Sequence, residues 1–329
     1  MLPDRELVEH LQHLSSEVQD DLRIGASKTI DELRDLQRLV INRRLLNVDL
    51  TLSEAVLPQV RSELQALLTS IPDTPIREKE SSQETGGEIL GKLEAVEFHA
   101  RSGQYPHYVG VVSPGTVAGN AYIYADFPGY DQFDRHSLIT VLADGLLGGE
   151  GPHSLYTNNS RRGLAYGTGI VSEPTLKRIY YYASRSPDIT AAIRLFNSLA
   201  QELPSSNDVS LVDNALRQAF FIPRTVLTPS QRGRAIALDI RDGVPPEVAR
   251  RFYQSLLKLR LEPALLAEVT HAALGSLSPL LMNQGYRSQQ EAARSLFFFA
   301  GPEKTLDDVQ KQFDLRGFIK LWPSDFWTD

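Results

Sequence analysis

The chain has no cysteine among its 329 residues. Disulfides, thiolate metal sites and cysteine nucleophiles are therefore excluded, although that absence alone identifies no compartment. No apolar run approaches the roughly 20 residues that a membrane-crossing helix needs. There is no long run of one charge sign, and a formal net charge of -7 removes the basic footprint of a nucleic-acid binder. Neither H-E-x-x-H nor its inversion H-x-x-E-H occurs, and there is no G-x-S-x-G elbow. The glycine-rich LLGGEGPHS follows a helical pattern rather than a strand and lacks the Gly-Lys-Ser/Thr ending of a phosphate loop. The first residues, MLPDRELVEHLQHL, are amphipathic and acidic, unlike a secretory or transit signal. A soluble, cytoplasmic protein is the expectation, with an organelle left open.

What is present suffices for a sizeable core: 42% of residues are hydrophobic. Leu7, Leu11 and Leu14, then Ile30, Leu33, Leu36 and Leu39, recur at helical spacing. A strand-like segment from Leu45 to Leu50 leads through a Thr/Ser cap into a helix with Val56, Val60, Leu64 and Leu67 on one face. Residues 73–91 are polar and rich in Pro, Ser and Gly, and read as a linker. Beyond it KLEAVEF, HYVGVVS, NAYIYAD, GLAYGTGIVS, LKRIYYYAS and SLFFFAG read as strands.

Between these strands lie helical patterns. One runs from about Gln132 to Leu147 and closes at Gly148; others begin at Ser186-Pro187-Asp188, with Ser186 as cap, at Thr228-Pro229-Ser230, and in VPPEVARRFYQSLL and PEKTLDDVQKQF. Strands first, then helices, then a strand and a helix predict an α+β fold with helices on one face of a largely antiparallel sheet. The divisions expected are 1–72, a helical and βα segment; 73–91, the linker; 92–316, the main α+β domain; and 317–329, a tail. LLNVDLTLSEAVLPQV and LFFFAGPEKTLDDVQK echo one another weakly as strand, turn and helix, a likeness that chance similarity of two βα units explains more readily than an internal repeat.

Several constellations could carry chemistry. His10 and His13 lie three apart on a predicted helix beside Glu9, a spacing able to hold a metal, but no third ligand is evident and a solvated helix face is the better account. His99 and His107 flank a turn. Ser154 beside His153 is the nearest pairing to a nucleophile and base. Tyr180, Tyr181 and Tyr182 occupy one strand, so alternate rings face opposite sides, and Tyr122 and Tyr124 share a face of another. These rings either pack the sheet or offer a flat amphipathic wall with hydroxyl donors to a peptide.

Taken together, the helix, LLGG, S-L-Y, RRGLAYGTG and the following strand resemble the M16 zinc metallopeptidases, the family of insulinase, pitrilysin, presequence protease and the processing peptidases. The likeness is to their second, non-zinc half, which carries L-G-G, then S-R-L-F, a charged loop and G-L-A-Y. YYYASRSPDITAAIRLF and SLFFFAGPEKTLDDV resemble that half's next strand and helix and its closing pair. The resemblance implies the LuxS/MPP-like metallohydrolase fold and two similar halves closing around a peptide chamber. Zinc would sit in the partner half only, so this chain would bind no cofactor and would be inactive alone.

The resemblance also implies the site. Tyr166 matches the tyrosine of G-L-A-Y that binds the substrate carbonyl. The family's arginine falls six or seven residues earlier, where this chain has Ser160 and Asn159; Arg161 or Arg162 would substitute if the loop were remodelled. Gly148 and Gly149 would end the helix, and Gly163 would permit close backbone approach. The expected function is to supply chamber wall and substrate binding for proteolysis performed with a zinc-bearing half. The alternative is an inactive peptide-binding or scaffold protein of the same fold, and a self-contained hydrolase built on His10 and His13 ranks last. The expected partners are that zinc-bearing half and a peptide, with neither nucleic acid nor membrane.

Overall fold

The computed structural model describes residues 4–73, 107–149, 151–205, 208–224, 228–259, 264–282 and 295–326. KLEAVEF, His99 and all of the 73–91 linker except Asp73 lie outside them. The chain divides into two compact units: residues 1–86 with 226–237, and residues 87–225 with 238–329.

In the first unit, α1 (Asp4–Ile24) and α2 (Ala26–Val40) meet at Gly25, whose φ of 78° is the left-handed conformation that glycine adopts without strain. Their leucines sit at helical spacing, yet Leu11, Leu14, Leu33 and Leu36 are exposed and no residue of α2 is buried. Local pairs support the helices, with Asp20 to Arg23 at 2.7 Å, Asp31 to Arg34 at 3.2 Å and Asp35 to Arg38 at 3.0 Å. Such exposed pairs contribute only about 0.2–0.5 kcal/mol each.

The expected strand at Leu45–Leu50 does not form. Arg43–Leu45 is a 3₁₀ turn in which the Asn42 side chain accepts from the Arg44 amide at 3.1 Å. Arg43 and Arg44 both reach Asp73 at 2.6 Å, and the Arg43 hydrogen bond foremost holds that carboxyl below its ordinary range. Leu46 has extended backbone, but residues 46–50 pair with no described strand, and a strand exists only through its ladder. The internal echo therefore fails at its first element. The helix after it does form as α3 (Leu57–Ser70), with Pro58 in its first turn.

The second unit is built on a six-stranded sheet in the order β3-β4-β2-β5-β1-β6. The strands are β1 (His107–Val112), β2 (Gly119–Asp126), β3 (Gly167–Glu173), β4 (Arg178–Ser186), β5 (Leu296–Gly301) and β6 (Ile319–Leu321). β3, β4, β2 and β5 pair antiparallel, whereas β5–β1 and β1–β6 are parallel, so the sheet is mixed with an antiparallel majority. β6 brings residues beyond 316 into the sheet. The helices here are α4 (Arg135–Gly145), α5 (Leu155–Arg162), α6 (Ile189–Glu202), α7 (Ser210–Arg224), α9 (Pro246–Leu259), α10 (Leu265–Leu277) and α11 (Glu303–Gln312). α8 (Pro229–Arg241) begins in the first unit and ends in the second. Thr228 caps it as expected, exchanging bonds with Gln231.

Alternation along the strands separates two faces. Ala121, Ile123, Ile179, Tyr181, Ala183, Phe297 and Phe299 are buried on the helix-covered side. α6 answers with Ile189, Ala192, Ile193, Phe196 and Ala200, spaced by three and four. Tyr181 stacks on Phe196 with centroids 4.5 Å apart and an interplanar angle of 3°. Its cap is Asp188, which accepts from the Ala191 amide at 2.9 Å, rather than the expected Ser186. Ser186 still belongs to β4, and its hydroxyl donates to the Leu164 carbonyl at 2.6 Å. Among the described residues no helix is long and apolar enough to cross a membrane.

Candidate functional site

The corner between α4 and β3 is built by caps. Asp134 opens α4, accepting from the Ser137 amide at 3.1 Å and its hydroxyl at 2.6 Å, and these bonds hold the Asp134 carboxyl below its ordinary range. The helix ends at Gly145, and Leu146 and Leu147 plunge into the core. The left-handed turn falls on Gly149, with φ 77°, and not on Gly148. A Cβ at Gly149 would also lie 2.5 Å from the Gln218 amide.

The stretch expected as a polar loop is instead α5. Ser154 is its N-cap: the hydroxyl accepts from the Thr157 amide at 3.1 Å and donates to the Thr157 hydroxyl at 2.9 Å. The Ser154–His153 pairing is thereby explained by local structure, because the serine hydroxyl is committed to the cap. Burial lowers the His153 imidazole from its ordinary value, favouring its neutral form. Gly163 closes α5 in the left-handed region, φ 63°, its amide meeting the Ser160 carbonyl at 3.1 Å while the Leu164 amide meets that of Asn159. A Cβ there would touch nothing within 4 Å, so Gly163 serves backbone conformation and not close approach.

Each expected site residue can now be placed. Asn159 is fully buried and its amide donates to the Leu155 carbonyl at 3.1 Å. Arg161 and Arg162 are exposed in the last turn of α5, where positive charge suits the helix dipole. The strand expected from Gly163 begins only at Gly167. Tyr166 stands just before it, tied through its amide to the Ser184 carbonyl at 3.1 Å, with its side chain 74% exposed.

The cation beside Tyr166 comes from β4. The Arg185 guanidinium carbon lies 5.2 Å from the Tyr166 ring centroid. Arg185 has φ 49°, uncommon for a non-glycine residue, and its amide is held by the Asn120 side chain at 3.0 Å. Nothing in local pattern marks Arg185; the β3–β4 register brings it to Tyr166. Separately, the side of the sheet opposite the helix-covered layer carries Tyr122, Tyr124, Tyr180, Tyr182 and Phe298 as a half-buried aromatic surface. Ring centroids there are separated by 5.1–6.5 Å. Burial raises the phenols of Tyr124, Tyr180 and Tyr182, so their hydroxyls remain protonated donors. Flat rings and donors together suit a peptide backbone.

Along β3, at the sheet edge, a cleft of about 720 Å³ runs between the strand and residues of α4, α7 and α9. Asp144 is part of its lining, 2% exposed, and neither carboxyl oxygen has a hydrogen-bond partner. Burial drives that carboxyl well above the usual range. A sequence signal existed: Asp144 is the lone charged residue from Ser137 to Gly149. Zinc does not fit here. Among the described residues no three His, Asp or Glu side chains gather in a group able to hold a metal ion.

No protein-family model matches the chain, and no curated protein matches it. Among solved structures it shows loose likenesses. One is a protease from Helicobacter pylori, at 16% identity and TM-score 0.41, with 60% of this chain and 45% of that one covered. Another is a peptidase M16 inactive domain from Pseudomonas fluorescens, at 14% identity and TM-score 0.41, covering 76% and 51%. A third is an inactive peptidase domain from Bordetella parapertussis, at 15% identity and TM-score 0.37, covering 48% and 86%. The chain thus spans about half the length of the first two.

Proposed function

We propose that this chain is the non-zinc half of an M16-type metallopeptidase and acts on a peptide held between it and a zinc-bearing half. One observation carries the reading. The ordered motif L-L-G-G, S-L-Y, G-L-A-Y folds into a capped helix corner that leads to an exposed tyrosine, against which β4 sets the Arg185 guanidinium. Tyr166 and Arg185 supply the two donors that the resemblance assigns to a substrate carbonyl. Arg185 takes the part expected of Arg161 or Arg162, and Asn159 serves α5 packing.

The chain's own contribution is binding and orientation. The aromatic face receives the backbone, and the Tyr166 hydroxyl and Arg185 guanidinium point charge and donors at one carbonyl oxygen. Donors placed where negative charge develops strengthen as the reaction proceeds. Bond cleavage belongs to the partner half.

The test is reconstitution. The purified chain, with zinc supplied, is expected to leave unstructured peptides intact, and hydrolysis is expected on adding a zinc-bearing M16 half. Tyr166→Phe or Arg185→Ala is expected to slow the reconstituted reaction by about 10²-fold, the usual effect of removing one such donor. Chelator-sensitive hydrolysis by the chain alone would refute the reading. Peptide binding without restored hydrolysis would favour the inactive scaffold instead.

A further inference from the structure

The cleft along β3 has an unbalanced lining. Its charged members among the described residues are Asp144, Glu173 and Asp242, and no described lining residue is a lysine, arginine or histidine. Glu173 and Asp242 each hold an arginine from outside the lining, Arg178 and Arg241 respectively. Asp144 holds none, and both its oxygens are sealed in the wall without a partner. A buried polar group left in this state is costly and needs a reason. The rest of the lining is uncharged, mostly apolar or aromatic, including Tyr130, Tyr156, Tyr182 and Tyr253, with neutral polar groups such as Thr168 and Gln218.

We infer that this cleft receives the basic side chain, arginine or lysine, of a bound peptide. The peptide part of this inference rests on the function proposed above; the preference for a cation rests on the cleft alone. An alkyl stem matches the apolar wall, and tyrosine faces attract a cation through their quadrupoles. The charged head lies towards Asp144, the one lining carboxyl that holds no arginine. Attraction to Asp144 does not require contact, because burial removes most of the screening that water would impose. With the cleft empty the Asp144 carboxyl keeps its proton; a cation entering beside it favours the carboxylate, and the proton passes to solvent. The other titratable groups facing the cleft are Glu173 and Asp242, with the four tyrosines named above.

The experiment uses the whole chain alone, titrated with N-acetylarginine amide and with its neutral isostere N-acetylcitrulline amide. The arginine compound is expected to bind at least about tenfold more tightly, and to release a proton, seen as a heat that varies with the buffer's ionisation enthalpy. Asp144→Asn, nearly isosteric, is expected to abolish the proton release and most of the discrimination while leaving citrulline binding unchanged. Asp242→Asn tests the same preference through an exposed position where folding is not at stake, and is expected to reduce it. Equal binding of the two compounds, undetectable binding of the arginine compound, or full discrimination and proton release in Asp144→Asn would overturn the inference. No zinc-bearing half enters this assay. A failure here beside restored hydrolysis would remove the cleft's role and leave the proposed function standing.

Discussion

Asp144 illustrates how one side chain can lower stability for another purpose. A free aspartate titrates near about 3.9. In the folded chain burial holds the Asp144 proton far more tightly. The folded state is therefore favoured by this group below that free value, and the advantage is lost as pH rises towards the folded-state pKa. Asp144→Asn removes this dependence. The variant is expected to match the parent at about pH 4 and to become the more stable of the two at higher pH. The gap should widen by up to about 1.4 kcal/mol per pH unit until the parent carboxyl ionises. Urea unfolding of both proteins across pH 4–8 measures it; parallel curves would mean that Asp144 is not held protonated. Tyr166 and Arg185 make a different point at this scale. Both are exposed, so their replacement is expected to change the reconstituted rate and barely move the unfolding midpoint.

At the scale of elements, α5 decides the corner. Its eight residues, LYTNNSRR, carry little apolar character, and from sequence they read as loop. The helix exists because Ser154 caps one end, Gly163 closes the other, and Leu155 is buried. Ser154→Ala is expected to cost about 1 kcal/mol, as for other N-caps, and to weaken peptide binding by disturbing the approach to Tyr166. Denaturant midpoints and peptide titration check both parts. The strands were legible because alternation in NAYIYAD and RIYYYAS is a local signal. Leu45–Leu50 carries a similar local pattern and forms no strand, since a ladder depends on a neighbour that sequence spacing does not reveal. Tyr166 was legible through G-L-A-Y, but Arg185 was not. Eighteen residues of chain separate them, and only the β3–β4 pairing places one against the other.

For the whole molecule, the two units are held by different means. The second has a sheet with a fully buried apolar layer, where removing one large side chain typically costs several kcal/mol. The first begins with 36 residues in two helices, α1 and α2, whose leucines from Leu11 to Leu39 face water. Such helices draw little from burial, and short isolated helices in water are marginal. Their amide hydrogens should therefore trade for deuterium within seconds, whereas those of β2, β4 and β5 should hold for hours; mass spectrometry of peptic fragments would read the contrast. If α1 and α2 prove as slow as the central strands, something covers those leucines in solution. The fragment that slows on adding a zinc-bearing half would then identify where that half grips.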